Sequence, residues 1–221
     1  MKRKLIIFGN NGFAEMVAHY FEAEAQREVV AFTVHERFIA TSRFGSRPLV
    51  SFESLSSEFD PAAHDLFVAL EHGRQNVGRA EVIEAARTMG FRLASFISPA
   101  ARISAHAKIG EHCLVLENAI IQYGVEIGPN NLVSANSFFG QSCTVGANNY
   151  FGNGFFADRH VRIGSFGVFG SQVRIGEGLA VHDWANLQPF ETVRESIRVP
   201  TIIHPILRAP GQVIDRRRSA L

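Results

Sequence analysis

The chain has 221 residues, 46% of them apolar and 19% charged, an ordinary globular balance that argues against disorder. Lysine and arginine number 22 against 21 acidic residues, and the net charge of +1 gives no global pull toward nucleic acid or a membrane surface. No apolar run approaches the roughly 18 residues of a membrane span. The two cysteines, Cys113 and Cys143, lack metal-ligand and disulfide-framework spacing, which fits buried thiols in a cytoplasmic protein.

The opening MKRKLIIFGNNG has a basic flank but only a short apolar run, Leu5 to Phe8, before a glycine and two asparagines. It reads as a first strand entering a turn, not as a leader. FAEMVAHYFEAEA (13–25) places Phe13, Met16, Val17, Tyr20 and Phe21 at helical spacing. EVVAFTV (28–34), PLVSF (48–52) and DLFVAL (65–70) read as strands, and QNVGRAEVIEAARTMG (75–90) as a helix closed by Gly90. FRLASFIS (91–98) reads as a last strand. This alternation predicts an α/β, Rossmann-like domain over 1–97, with a small parallel sheet and flanking helices.

From residue 101 the rhythm becomes a strict period of six. Fifteen units run without a gap from ARISAH to ANLQPF, every third place is apolar, and eight fourth places are glycine. The expectation is a parallel β-helix over 98–193, with three units per coil, about five coils and one inward residue per unit. The fourth-place glycines are expected where the chain turns sharply. Residues 18 apart should stack, which puts Phe151, Phe169 and Leu187 in one column and Phe139 over Ala157 in another. Phe138, Tyr150 and Phe156 should face outward, toward a covered surface such as a subunit interface. A C-terminal extension, 194–221, carries the basic cluster Arg216 to Arg218, read as a solvated tail.

The combination of IIFGNNGFAEMV, FVALEHGRQNVGR, ISPAARISAHAKIGEHCLVLENAIIQ and the sixes that follow resembles the sialic acid O-acetyltransferase/bacterial sugar acyltransferase family. Its members include N-acetyltransferases of nucleotide-linked amino sugars. The resemblance implies a left-handed β-helix, an exception to the right-handed crossover rule. It also implies a homotrimer with acyl-CoA, such as acetyl-CoA, between neighbouring prisms, for which Gly170, Ser171 and Gly176 are the expected contacts. A nucleotide sugar would sit on the N-terminal domain. There Gly9, Asn10, Asn11, Gly12 and Phe13 form a strand-to-helix turn whose free N–H groups could face a ligand, with His35 nearby. The alternative is that these residues only make a tight turn. The turn is not a full G-x-G-x-x-G and no acidic residue ends the second strand, which argues against a dinucleotide cofactor.

The same resemblance implies a histidine base at the fifth place of one unit, an acidic neighbour, and a glycine one coil later whose N–H faces the thioester carbonyl. Those places hold Gln141, Ser142 and Arg159. A glutamine cannot take up a proton near neutral pH, though it hydrogen-bonds. His160, one coil above Ser142, is the substitute base proposed from the stacking, and the other reading makes it an ordinary corner residue. Gln141, Arg159 and His160 would together line the cleft, with Arg159 able to hold a phosphate or carboxylate. His106, His112, His160 and His182 do not cluster, so no metal is expected. Trp184 either stacks on an adenine or seals the last coil. Three functional readings follow: acyl transfer from coenzyme A to a nucleotide-linked amino sugar, a sugar-binding or scaffold protein that has lost transfer, and a transferase with another acyl donor.

Overall fold

The computed structural model describes residues 3–203, so the Arg216 to Arg218 cluster lies outside the described residues. The N-terminal part is built on β1 (Lys4–Phe8), β2 (Val29–Val34), β3 (Arg43–Phe44), β4 (Arg47–Ser51), β5 (His64–Val68) and β6 (Arg92–Leu93). The sheet order is β3-β4-β2-β1-β5-β6. All neighbouring pairs are parallel except β3 with β4, a hairpin that the sequence reading did not foresee and that makes the sheet mixed. Helix α1 (Gly12–Ala23) starts at Asn11, whose side chain accepts the Ala14 N–H at 3.0 Å. A one-turn α2 (Leu55–Glu58) follows β4, and α3 (Val77–Thr88) ends at Gly90, where φ is 88° and glycine alone is unstrained.

The segment expected as one last strand is divided between two bodies. Arg92–Leu93 closes the N-terminal sheet, whereas β7 (Phe96–Ile97) pairs with Leu114–Val115 and begins the prism. From there the chain winds through three parallel sheets of seven, six and five strands, with partners 18 residues apart as far as Val193 and 16 apart at Ile202–Ile203, and fits the left-handed β-helix. The stacked columns are as expected: Phe151 on Phe169 on Leu187, and Phe139 on Ala157. Winding continues beyond Val193, since Ile197 bridges Val181 and Ile202–Ile203 pairs with Asn186–Leu187.

Two expectations about the repeat are corrected. Most units bury their first residue as well as their third: Cys113, Ala119, Val125, Cys143, Phe155, Val161, Val173 and Ala185 are all fully buried. Phe155 fills the space beside small Ala157 and meets Phe139, Phe151 and Phe169. Gly167 occupies a first place because a Cβ there would strike the Phe169 ring. The sharp turn, moreover, is at the sixth place, not the fourth. Positive φ falls on His112, Asn118, Gly124, Asn130, Asn136, Ser142 and onward to Phe190. Fourth-place glycines answer to crowding between coils: a Cβ on Gly140 would lie 2.8 Å from the Arg159 nitrogen, and one on Gly152 2.6 Å from that of Ser171.

The N-terminal sheet and α1 cover one face of the prism, where Phe21, Phe67 and Phe96 pack with Leu114, Leu116 and Leu132. A buried polar joint fixes the two parts. Arg79 of α3 donates to the Asn130 side chain at 2.9 Å and to the carbonyls of Leu70, Glu71, Asn130 and Asn149. Burial pulls its guanidinium down to about 9, which leaves it charged at neutral pH. His112, fully buried and stacked on Phe67 at 4.6 Å, accepts the Val68 N–H on Nε2 at 2.9 Å. Its Nδ1 therefore carries the proton and faces the Asn130 oxygen at 3.0 Å.

Burial first, then the charge of Arg79, holds His112 down at about 3, against an ordinary 6.5. The unfolded chain then takes up a proton near pH 6.5 that the folded chain refuses. The His112 contribution to stability is complete above about pH 6.5 and is lost as pH falls toward 3, by about 1.4 kcal/mol per pH unit. Urea midpoints across this range should show that slope reduced by about one proton in His112→Gln compared with the wild type. Equal slopes would mean that His112 titrates normally.

Candidate functional site

The first candidate site is a cavity of about 470 Å³ at the C-terminal ends of β1, β2 and β5. Gly9, Asn10 and Asn11 form one wall, with Phe8, His35, Arg37, Phe38, Leu70, Arg74, Gly78 and Glu81 completing it. Gly9 has φ of 136°, and a Cβ on it would lie 3.0 Å from the Ala69 carbonyl oxygen, so only glycine lets the chain leave β1 this way. Gly12 and Phe13 do not line the cavity; Gly12 begins α1, and Phe13 packs into the core beneath it. Arg37 lies 4.9 Å over the ring of Phe38, which is 55% exposed.

His35 is not alone. Its Nδ1 is 2.8 Å from the carboxylate of Glu53, which also accepts the Glu36 N–H and the Ser51 hydroxyl. Burial would raise the Glu53 carboxyl, but bonds from His35, the Glu36 N–H and Ser51 outweigh it and hold it at about 2. Sequence reading missed this acid because it looked next to His35 along the chain. Glu53 comes from the end of β4, which the parallel pairing of β4 with β2 brings alongside.

The second candidate site is the prism corner between the sheet containing Phe139 and the sheet containing Val145. Gln141 is exposed; its N–H donates to the Gln122 side chain at 3.1 Å, and its carbonyl accepts the His160 N–H at 2.9 Å. His160 stands over Ser142 on this corner, both with positive φ, and its ring has no side-chain partner among the described residues. Arg159 pairs with Glu177 at 2.8 Å, and both are about half exposed. The Arg159 N–H donates to Asp158 Oδ1 at 2.8 Å, a carboxylate that the sequence reading passed over. Burial pushes the Cys143 thiol up, and its sulfur bonds the Asp158 carbonyl, so it is a packed thiol and not a nucleophile.

Asp158 and Gly176 share a hollow of about 400 Å³ with Phe156, Arg174, Glu177 and Arg194. Gly170 and Ser171 lie at the other edge of the same prism face, so the three expected acyl-CoA contacts do not converge within one chain. Between those edges run Ile120, Phe138 and Phe156, outward as expected, with the two rings stacked at 4.8 Å and Arg174 4.3 Å over Phe156. Tyr150, the third expected outward ring, faces the N-terminal part and meets His72. His106 contacts Tyr123, while His182 is exposed elsewhere. Among the described residues, no group of three His, Cys, Asp or Glu side chains is placed to hold a metal ion. Trp184 stacks on Phe166 at 4.3 Å on a third corner, with further chain wound beyond it.

A family model described as bacterial transferase hexapeptide (six repeats) matches residues 106–141. Solved structures extend the likeness to the whole chain. The acetyltransferase domain of PglB from Neisseria gonorrhoeae FA1090 is 19% identical, with 96% of this chain and 100% of that one covered and a TM-score of 0.80. PerB from Caulobacter crescentus, solved with CoA and GDP-perosamine, is 20% identical over 96% and 98%, with a TM-score of 0.79. WeeI from Acinetobacter baumannii AYE is 17% identical over 96% and 99%, also at 0.79. No curated protein is similar enough in sequence to register as a relative. The protein is thus a hexapeptide-repeat protein with the two-part fold of these structures. At these identities the likeness is one of fold, and the family model adds the repeat over residues 106–141.

The Arg159–Glu177 pair is solvent-screened. Arg159→Ala is expected to change unfolding free energy by less than about 1 kcal/mol in urea titrations, so that any functional loss it causes can be read as functional. A larger loss of stability would make Arg159 a structural residue.

Proposed function

We propose that the protein is an acyl-CoA-dependent acyltransferase, moving an acetyl group from acetyl-CoA to a nucleotide-linked amino sugar in bacterial glycan synthesis. Residues 1–97 would form the Rossmann-like nucleotide-sugar domain and residues 98–193 the left-handed β-helix transferase domain, with an extension from 194 and a cytoplasmic setting. The observation that carries this reading is the union, in one chain, of a strand-end cavity with a hexapeptide prism. That union extends over 96% of this chain and 98% of PerB, whose structure holds CoA and GDP-perosamine. Gly9, Asn10, Asn11 and His35 would bind the nucleotide sugar, and Gln141, Arg159 and His160 would line the transfer cleft.

The placement of the two sites supports a homotrimer. The N-terminal part covers the prism face that begins with β7, and the Gln141–His160 corner is the one opposite that face. A sugar held in the cavity therefore meets a transfer corner supplied by a neighbouring copy more readily than its own. The Ile120, Phe138 and Phe156 ladder supplies apolar surface for such a contact. Acyl-CoA would lie between neighbouring prisms, with Gly176 on one edge of the ladder face and Gly170 and Ser171 on the other. Those separated edges suit a cleft made by two chains.

An amine acceptor suits Gln141. A sugar amine of modest pKa is partly neutral near pH 7 to 8, so a base would contribute less than the typical 10²–10⁴-fold and positioning would contribute more. A second reading, a binding protein without turnover, is favoured by Asp158. Its carboxylate takes the Arg159 N–H that the resemblance assigns to the thioester carbonyl. The third reading, an acidic acyl donor, would need its carboxylate to draw Arg159 from Glu177.

The experiment is thiol release from acetyl-CoA in the presence of UDP- and GDP-linked amino sugars, after calorimetry with acetyl-CoA alone. Saturable heat and acceptor-dependent release are expected. His160→Ala should lower kcat by about tenfold, below the usual range for general-base catalysis, with its melting temperature retained, and unchanged turnover removes His160 from the mechanism. Asp158→Gly should leave transfer intact or raise it; if transfer appears only in that variant, the wild-type protein is the binding form.

A further inference from the structure

The segment joining β5 to α3 adopts a conformation that side chains normally avoid. Arg74, Gln75 and Asn76 all stand in the left-handed region, with φ of 49°, 51° and 66°, and none is glycine. Such a run persists only where its surroundings hold it. Arg74 closes a two-pronged pair on Glu81, at 2.9 and 3.1 Å. Gln75 reaches the prism, its Nε2 donating to the Trp184 carbonyl at 2.7 Å. Asn76 is fully buried; its Nδ2 donates to the Gly167 carbonyl at 3.0 Å, while its Oδ1 has no partner. One end of the segment thus forms the wall of the strand-end cavity, and the other grips the corner where Trp184 stacks on Phe166.

We propose that Arg74 recognises the anionic part of the cavity's ligand, a nucleoside diphosphate group, and that its transfer from Glu81 to that anion loosens the segment's hold on Trp184. The inference rests on the nucleotide-sugar reading and adds a residue and a relay to it. Both partners of the Arg74–Glu81 pair are more than half exposed, so their mutual attraction is screened and readily exchanged. A diphosphate offers the guanidinium two-pronged, charge-assisted bonds inside the cavity. Glu81 holds the fork in the cavity wall until such an anion arrives. Arg74, Gln75 and Asn76 follow one another directly in the left-handed region, so the relay runs through a backbone change at Arg74 that turns its two neighbours. The unpaired Asn76 oxygen leaves that seat incompletely satisfied, and so a poor lock. The chain's single tryptophan stands at the far end of this relay.

The test uses GDP and UDP as probes on the full chain, with affinity from calorimetry and Trp184 emission excited at the red edge of its absorption. At least one nucleotide should bind saturably and change the emission with the same midpoint. Arg74→Ala should weaken that binding about tenfold or more. Glu81→Gln, which frees the fork, should strengthen it. Gln75→Ala should keep affinity within about twofold but lose the emission change. An unaffected Arg74→Ala, a weakened Glu81→Gln, or a full emission response in Gln75→Ala would overturn the proposal and leave nucleotide binding standing. If neither nucleotide binds the wild type, the nucleotide-sugar reading falls and this proposal with it.

Discussion

The spacing between successive coils governs this molecule. A Cβ placed on Gly110, Gly140, Gly152 or Gly170 would lie 2.5–2.8 Å from backbone atoms of the next coil, closer than such atoms approach. At those places the coils can close on one another only because glycine stands there. Once they close, strands find partners 18 residues on, and the first and third residues of the central units are sealed inside. Phe139, Phe151, Phe155 and Phe169 then need small neighbours, which Ala157 and Gly167 provide. Everything functional on the prism is consequently an edge or an outward face, held by a lattice that has little freedom to move.

Onto one face of that lattice the N-terminal part is fixed by apolar burial and by a charged group without a carboxylate partner. Arg79 is satisfied by an amide and four carbonyls, and neutral His112 shares the same asparagine oxygen. Removing one member of such a buried set leaves the others desolvated and unpaired, which is more costly than the bonds are favourable. The joint thereby fixes the strand-end cavity relative to the prism. It also brings the β5–α3 segment against Trp184, so the two halves communicate through polar contacts and not only through a hydrophobic seam.

The Gln141–His160 corner shows how a stable repeat can carry a variable surface. Gln141, Asp158, Arg159 and His160 lie at turn positions, where the interior places no demand on side-chain type. Their bonds are local: Asp158 to its neighbour's N–H, Arg159 to Glu177, Gln141 to Gln122. Substitution at Gln141 or Arg159 costs the fold little, whereas the left-handed turn at His160 also restricts what can stand there.

The period, the stacked columns, four strands and the two long helices of the N-terminal half, and the Gly9 turn were legible in the sequence. Each of these is local or strictly periodic, so a side chain's role follows from its place in a short pattern. Because the repeat numbers every position, the sequence also located Gln141 at the place where the resemblance implies a histidine. Tertiary structure alone decided the rest. Glu53 joins His35 only because β4 pairs with β2, and the hairpin of Arg43–Phe44 depends on an edge left open by that pairing. Asp158 over the Arg159 N–H, Arg79 in its cage of carbonyls, and Gln75 on Trp184 join residues through side-chain geometry or across long stretches of chain. No short pattern carries such pairings, since they depend on which surfaces face each other once the prism and the sheet have closed.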